Sequence, residues 1–290
     1  MNRRKGIVLA GGSGSRLYPI TIGTSKHLLP IYDKPMIYYP LSMLMLAGIR
    51  EIAVIVTPKD RSQYENLLGD GYKWGVSFEF IEQPNPEGIA QAYTLCRDFL
   101  ANSPSALVLG DNIFYGQGLS AHLQLANKKT TGATVFGYQV LDPERYGVVE
   151  FDSTGKVISI KEKPKNPASN YAVTGLYFLD STASERVESV APSPRGELEI
   201  TDLLESYLSE NLLDVEIMGR GFSWLDTGTQ ESLIEASGFV RTVQKRQGLS
   251  IGCLEEISLS QGWISREELE KNINNVPNNS YGNYLRSLLK

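Results

Sequence analysis

Four short apolar runs, at 6–10, 51–58, 76–83 and 105–112, each end in turn residues and alternate with longer stretches of helical periodicity. That alternation leaves little choice of architecture. It is the pattern of βαβ units, whose strands run parallel while helices cross the faces of the sheet. The helical stretches are 35–48, 59–68 and 88–102, the last with Ile89, Ala92, Tyr93, Cys96 and Leu100 at three- and four-residue spacing. In open sheets of this kind ligands bind beyond the carboxyl ends of the strands, so segments 11–16, 83–88 and 110–115 are where chemistry is expected.

The pattern then changes. Residues 148–151 and 156–161 alternate around Asp152-Ser-Thr-Gly155, which reads as an antiparallel hairpin, and another strand follows at 172–179. A helix at 199–211, a strand at 215–218 and a long helix at 229–247 come next, the last with Leu233, Ala236, Val240 and Val243 on one face. From Ser250 the chain reads as short helices with an Asn-rich connection at 272–279. No repeat or low-complexity linker interrupts it. The expected fold is α/β: a Rossmann-like, mostly parallel twisted sheet flanked by helices, with an antiparallel insertion and a helical C-terminal tail. The 290 residues are expected to form one unit, with a core at 1–112, a part completing the sheet at 113–228 and the tail at 229–290.

Composition excludes several functions. Lys and Arg number 28 against 33 Asp and Glu, a net charge of -5, so the basic footprint of a nucleic-acid binder is missing. The longest apolar stretch, 36–49, is interrupted by Tyr38, Tyr39, Pro40 and Ser42 and falls short of the roughly 20 residues a membrane helix needs. The apolar run after the basic start is too short for a signal-peptide core. No membrane partner and a cytoplasmic location are therefore expected. Cys96 and Cys253 stand far apart with no histidine near either, which points to buried apolar residues rather than a disulfide or zinc site.

Five segments carry candidate chemistry. Leu9-Ala-Gly-Gly-Ser-Gly-Ser-Arg-Leu17 is a glycine-rich turn directly after the first strand. Its glycines let backbone N–H groups approach phosphate, and Arg16 adds forked, charge-assisted donors. The turn lacks both the Gly-Lys-Ser/Thr ending of the Walker loop and the third glycine of the dinucleotide loop. Lys26, within Thr24-Ser-Lys-His-Leu-Leu-Pro30, is placed to neutralise phosphate from the side opposite Arg16. His27 has no second ligand at metal spacing and reads as structural. Asp111 ends the strand Leu107-Val-Leu-Gly-Asp-Asn112, and Asp226 sits among bulky apolar residues in Gly221-Phe-Ser-Trp-Leu-Asp-Thr-Gly228. Two such carboxylates together with phosphates are how proteins hold Mg²⁺. In Ile160-Lys-Glu-Lys-Pro164, alternation places Lys161 and Lys163 on one face and Glu162 on the other, a pair suited to a sugar phosphate.

In this order, GGSGSRL, TSKHLLPIYDKP, EQPNPEGIAQA, LGDN, RYGVVEFD, IKEKP, GLYF, RGELEITD and WLDTGT, the motifs closely resemble those of the bacterial glucose-1-phosphate thymidylyltransferases, the short, homotetrameric class of sugar nucleotidyltransferases. The likeness runs over essentially the whole chain. It implies a Mg²⁺-dependent conversion of dTTP and glucose 1-phosphate into dTDP-glucose and pyrophosphate, the first step toward dTDP-rhamnose. By motif position, Leu9, Gly11, Gln83 and Gly88 would hold the thymine and deoxyribose. Gly14, Ser15 and Arg16 would wrap the triphosphate beside Lys26, and Asp111 and Asp226 would bind Mg²⁺. Asn112, Gly147, Glu162 and Val173 would hold glucose, Lys163 its phosphate, with Tyr146 and Tyr177 lining the pocket. The resemblance further implies feedback inhibition by dTDP-rhamnose at a second site, involving Tyr115, Gly116, Gly219 and Glu256. Three positions depart from the usual pattern: Ser15 stands for Thr, His27 for Gln and Gln230 for His. The competing readings are the same reaction with UTP and a nucleotide-sugar sensor that binds without turnover.

Overall fold

The computed structural model describes residues 3–290. Strand β1 (Lys5–Leu9) lies at the centre, paired in parallel with β4 (Glu51–Val56) on one side and β6 (Ser105–Leu109) on the other. Beyond β4, β5 (Ser77–Glu82) completes the parallel edge. The chain thus adds strands to one side of β1 and then crosses to the other. The crevice between β1 and β6, where successive loops diverge, is the switch point at which such sheets bind ligands.

Alternating side chains of these strands enter different cores, because successive residues of a strand face opposite ways. Val8, Val54 and Val108 pack under helices α1 (Tyr38–Leu46), α2 (Arg61–Leu68) and α5 (Leu119–Lys128). Ile7, Ile55 and Leu107 pack against the other layer, which includes α3 (Gln91–Leu95), α4 (Arg97–Leu100), α6 (Ala183–Arg186) and α7 (Ile200–Ser209). Burial on both faces explains why these strands read as continuous apolar runs.

The second half of the sheet is built on β11 (Tyr171–Leu179). One side pairs antiparallel with β8 (Ala133–Gln139), which in turn holds β12 (Leu213–Met218) in parallel. The other side is shared: Leu176 to Leu179 pair with β6, whereas Tyr171 and Ala172 pair with β9 (Gly147–Phe151), itself in a hairpin with β10 (Val157–Glu162). Between those pairings a gap opens at Val173 to Gly175. Asn112 fills part of it, its Oδ1 accepting the Gly175 N–H at 3.2 Å.

Several expectations need correcting. The run 105–112 is two strands, since the chain turns at 110–111 and Asn112 opens β7 (Asn112–Gly116), which pairs with β13 (Phe222–Asp226) in a separate ribbon. The stretch 35–48 starts as β3 (Lys34–Pro35), hairpinned with β2 (Pro30–Ile31), before α1 begins. The stretch 88–102 breaks at Cys96 into α3 and α4. Elements β8 and α5 were not anticipated. The long helix α8 (Gln230–Gln247) starts at a capping box between Thr229 and Ser232, and the tail forms α9 (Leu254–Ser260), α10 (Arg266–Ile273) and α11 (Ser280–Ser287). Asn272 and Ile273 belong to α10, so the expected Asn-rich connection shortens to 274–279. Both cysteines are free and buried. Among the described residues no helix is long and apolar enough to cross a membrane.

Candidate active site

Two adjoining cavities open at the crevice, of about 400 and 220 Å³. They share a wall made of Arg16, Leu109, Asp111, Glu162 and Lys163 together with Ile89.

The larger cavity is floored by the turn after β1. The turn leaves the sheet with Ala10 N–H donating to the Ile55 carbonyl at 2.9 Å. Gly14 then adopts a left-handed backbone, φ 60°, and the Thr21 hydroxyl fixes it by donating to the Gly14 carbonyl at 2.9 Å. Leu9, Gly11, Ser15, Gln83 and Gly88 also line this space. Gln83 is buried and donates to Gln91 at 2.6 Å, which leaves its Oε1 beside Gly11, where a Cβ would come within 1.9 Å. The turn needs glycine at that point for close approach, not for backbone freedom.

Lys26 is 8% exposed and forms an ion pair with Asp111. Burial alone would raise the Asp111 carboxyl, but Lys26, His27 and a 3.0 Å hydrogen bond from Asn112 outweigh it and hold the group below the usual range. His27 is buried against Ser25 and Tyr64, and burial, helped by Lys26, pushes its imidazole down to about 4. The ring is neutral near pH 7, consistent with a structural role.

Asp226 is brought to Asp111 by the β7–β13 ribbon. Thr227 secures the approach, its N–H and hydroxyl both donating to the Asp111 carbonyl at 3.0 and 2.7 Å. Burial and the negative charge of Asp111 raise the Asp226 carboxyl, against the pull of Lys26, Arg16 and Arg145. The two carboxylates repel each other, and Lys26, Arg16 and Arg145 offset only part of the cost to Asp226, so the pair would attract a further cation. Among the described residues no third acid, histidine or cysteine completes a metal cage. A cation here would draw its remaining ligands from phosphates and water, the habit of Mg²⁺ rather than of zinc. The donor set fits that ion.

Asn112, Tyr146, Gly147, Val173 and Tyr177 line the smaller cavity with Glu162 and Lys163. One prediction fails here in an informative way. Strand β10 ends at Glu162, and Lys163 takes φ 39°, so alternation stops and both side chains turn into the cavities, 3.3 Å apart. Lys161 is left exposed.

Several residues were not anticipated. Arg195 lies 3.4 Å from Glu162 and is itself held by Glu199 at 2.8 Å. Thr201 donates to Glu162 at 3.4 Å. Trp224 donates from Nε1 to Asn112 at 2.6 Å and packs on Tyr146 with ring centres 5.1 Å apart. Arg195 and Thr201 both lie in RGELEITD, a segment that carries the family resemblance but whose residues were given no role. Trp224 stands two residues before Asp226, and an indole in an apolar run carries no sequence signal of its own. The four residues expected at a second site lie elsewhere: Tyr115 bonds Gln247 of α8 at 2.7 Å, Gly116 ends β7, Gly219 precedes β13, and Glu256 of α9 accepts from Tyr284 at 2.7 Å.

The nucleotidyl transferase family profile matches residues 5–243. A glucose-1-phosphate thymidylyltransferase of Xanthomonas campestris is 60% identical over the whole of this chain and 98% of its own length. One from Neisseria meningitidis is 57% identical over 99% of each chain. Among solved structures, a Bacillus anthracis chain assigned to the same enzyme and crystallised with sucrose is 44% identical, with a TM-score of 0.75 over 82% of this chain and 95% of that one. A UDP-glucose pyrophosphorylase complexed with UDP-glucose is 26% identical, with a TM-score of 0.72 over 83% and 100%. Nucleotidyl transferases as a family work with a divalent metal. From the glycine-rich turn to the tail, the chain belongs to the nucleotidyl transferase family, in the group of glucose-1-phosphate thymidylyltransferases.

Proposed function

We propose that this chain transfers the thymidylyl group of dTTP to glucose 1-phosphate, releasing pyrophosphate and dTDP-glucose. The observation that carries this reading is the shared wall of the two cavities. A nucleotide in the larger space and a sugar phosphate in the smaller would bring their phosphates together at Arg16, Lys26, Asp111 and Lys163.

The attacking group is a phosphate oxygen of glucose 1-phosphate, already anionic, so no general base is required. It forms a bond to the α-phosphorus as the bond from that phosphorus to the bridging oxygen breaks, and pyrophosphate leaves with the electron pair. The residues' task is to align two anions and offset their repulsion. Leu9, Gly11, Gln83 and Gly88 would hold the base and deoxyribose. Gly14, Ser15, Arg16 and Lys26 would hold the triphosphate. Asn112, Tyr146, Gly147, Glu162, Val173 and Tyr177 would hold the glucose, with Lys163 on its phosphate. Asp111 and Asp226 would hold Mg²⁺, which when bound supplies positive charge to the phosphate oxygens.

The reading extends to a cytoplasmic homotetramer working at the first step toward dTDP-rhamnose. Residues 1–112 would serve as nucleotide core, 113–228 as sugar-binding part and 229–290 as tail and oligomer contacts within one domain. Feedback by dTDP-rhamnose would act through Tyr115, Gly116, Gly219 and Glu256. Pyrophosphate release with Mg²⁺, glucose 1-phosphate and each of dTTP, UTP, ATP, GTP and CTP tests the core of it. Release led by dTTP is expected. A clear preference for UTP would make the chain a uridylyltransferase, and binding of dTTP without release from any nucleotide would make it a sensor.

A further inference from the structure

Lys34 is 3% exposed and has no part in the chemistry described above. Burying an ammonium is costly unless its hydrogen bonds are replaced, so its partners show what it is for. Its Nζ donates to Asp33 at 2.7 Å, to Gln244 at 3.2 Å and to Ser250 at 3.0 Å, and it lies 5.7 and 5.6 Å from the ring centres of Tyr39 and Tyr281. These partners come from the β2–β3 hairpin, the end of α8, the turn after it, the start of α1 and the last helix of the tail. A second link runs in parallel, Gln244 Nε2 donating to Asp33 at 3.0 Å.

Both ends of this junction lead to the site. On one side β3 pairs with β2, Met36 N–H donates to the Leu29 carbonyl at 2.9 Å, and Ile37 N–H donates to the His27 carbonyl at 2.8 Å, so Lys34 rides on the segment that carries Lys26. On the other side Gln244 lies near the end of α8, whose capping residue Thr229 stands three positions after Asp226. Two-residue strands cannot hold a register alone, and an α-helix transmits position along its length. We infer that Lys34 is a positioning residue: it closes a loop from Lys26 through the hairpin and α8 to Asp226, and so sets how the phosphate-binding lysine faces the second carboxylate. The tail thereby becomes part of what sets turnover. The inference rests on the proposed transferase reading.

Lys34→Met keeps the apolar stem and removes the charge. Near-attack geometry lost by about an ångström costs up to about 100-fold, so kcat should fall about tenfold or more while KM for glucose 1-phosphate, whose sugar would be held by Asn112, Tyr146, Gly147, Glu162, Val173 and Tyr177 rather than by Lys26 or Asp226, stays within about twofold. Gln244→Leu, which cuts the tail side alone, should shift kcat in the same direction by a smaller factor. Both are assayed well below their melting temperatures, with the nucleotide that the wild-type protein uses best. A lower melting temperature with unchanged kcat in a folded Lys34→Met protein would overturn the inference. If that variant does not fold, unchanged kcat in Gln244→Leu overturns it. A wild-type protein that uses another nucleotide in place of dTTP would refute the functional reading separately, since the variant-to-wild-type ratio does not depend on which nucleotide is used, and a wild-type protein that turns over none would overturn both.

Discussion

A Cβ on Gly11 would lie 1.9 Å from Oε1 of Gln83 and 3.0 Å from its Cδ, so alanine at this position must push the amide aside in the larger cavity, where the proposed reading places the base. Gly11→Ala should lower kcat/KM for dTTP about tenfold or more, the scale for losing a buried hydrogen-bonding group that reads a substrate, and leave KM for glucose 1-phosphate nearly unchanged. Steady-state kinetics with each substrate varied in turn would show it, and an equal loss for both would place Gln83 outside base recognition. Asp226 makes a different case, because its raised carboxyl reports a neighbour of like charge. Asp226→Asn removes that repulsion and, on the proposed reading, a Mg²⁺ ligand together. It should therefore raise the Mg²⁺ concentration needed for half-maximal rate as well as slow turnover, and an unchanged metal dependence would remove it from the ligands. Both residues stand in segments the sequence marks as candidates for chemistry, because an acid among apolar neighbours is costly unless paired or metal-bound and a glycine-rich turn after a strand lets backbone N–H groups approach phosphate. Thr227 was not, because a hydroxyl bonding a backbone carbonyl carries no sequence signal.

Elements differ in how much of them their own sequence dictates. The parallel strands β1, β4 and β6 were readable because burial on both faces leaves a continuous apolar run. The β7–β13 ribbon was not, since its partners lie more than 100 residues apart and nothing local announces the pairing. Yet that ribbon brings Asp226 to Asp111, with Thr227 as its fastening. Thr227→Val keeps the shape and removes the 2.7 Å hydrogen bond to the Asp111 carbonyl, leaving the 3.0 Å backbone bond in place. It should cost about 1 kcal/mol of stability and lower kcat several-fold at temperatures where the protein remains folded. Thermal melting and turnover measured on the same sample would separate the two effects. Strand β10 adds a second lesson. Period-two alternation put Glu162 and Lys163 on opposite faces, and the strand's end at Glu162 undid it, because the rule holds only while the backbone stays extended.

Across the whole molecule, the sheet is tied together far from the site by Asp180, at the end of β11. Its carboxylate accepts from the Gly132 N–H at 2.7 Å, from the Thr182 N–H and hydroxyl at 3.0 and 2.6 Å and from the Tyr207 hydroxyl at 3.0 Å. Burial would raise this group, but those donors outweigh burial and hold it below its ordinary value. A depressed carboxyl stabilises the fold above its unfolded value, near 3.9, and that contribution is lost as pH falls through the folded value. Asp180→Asn should therefore cost about 1 to 3 kcal/mol near neutral pH and flatten the fall of stability with acid below about pH 4. Chemical denaturation across pH would show whether the slope changes. The functional account at this scale is that two cavities meet at one charged wall so that two phosphates can react directly. Turnover of dTTP bearing a chiral α-phosphorothioate, with the configuration of the dTDP-glucose product determined, tests that most directly. A single displacement predicts inversion at phosphorus, and retention would require a covalent intermediate on the protein and contradict the account.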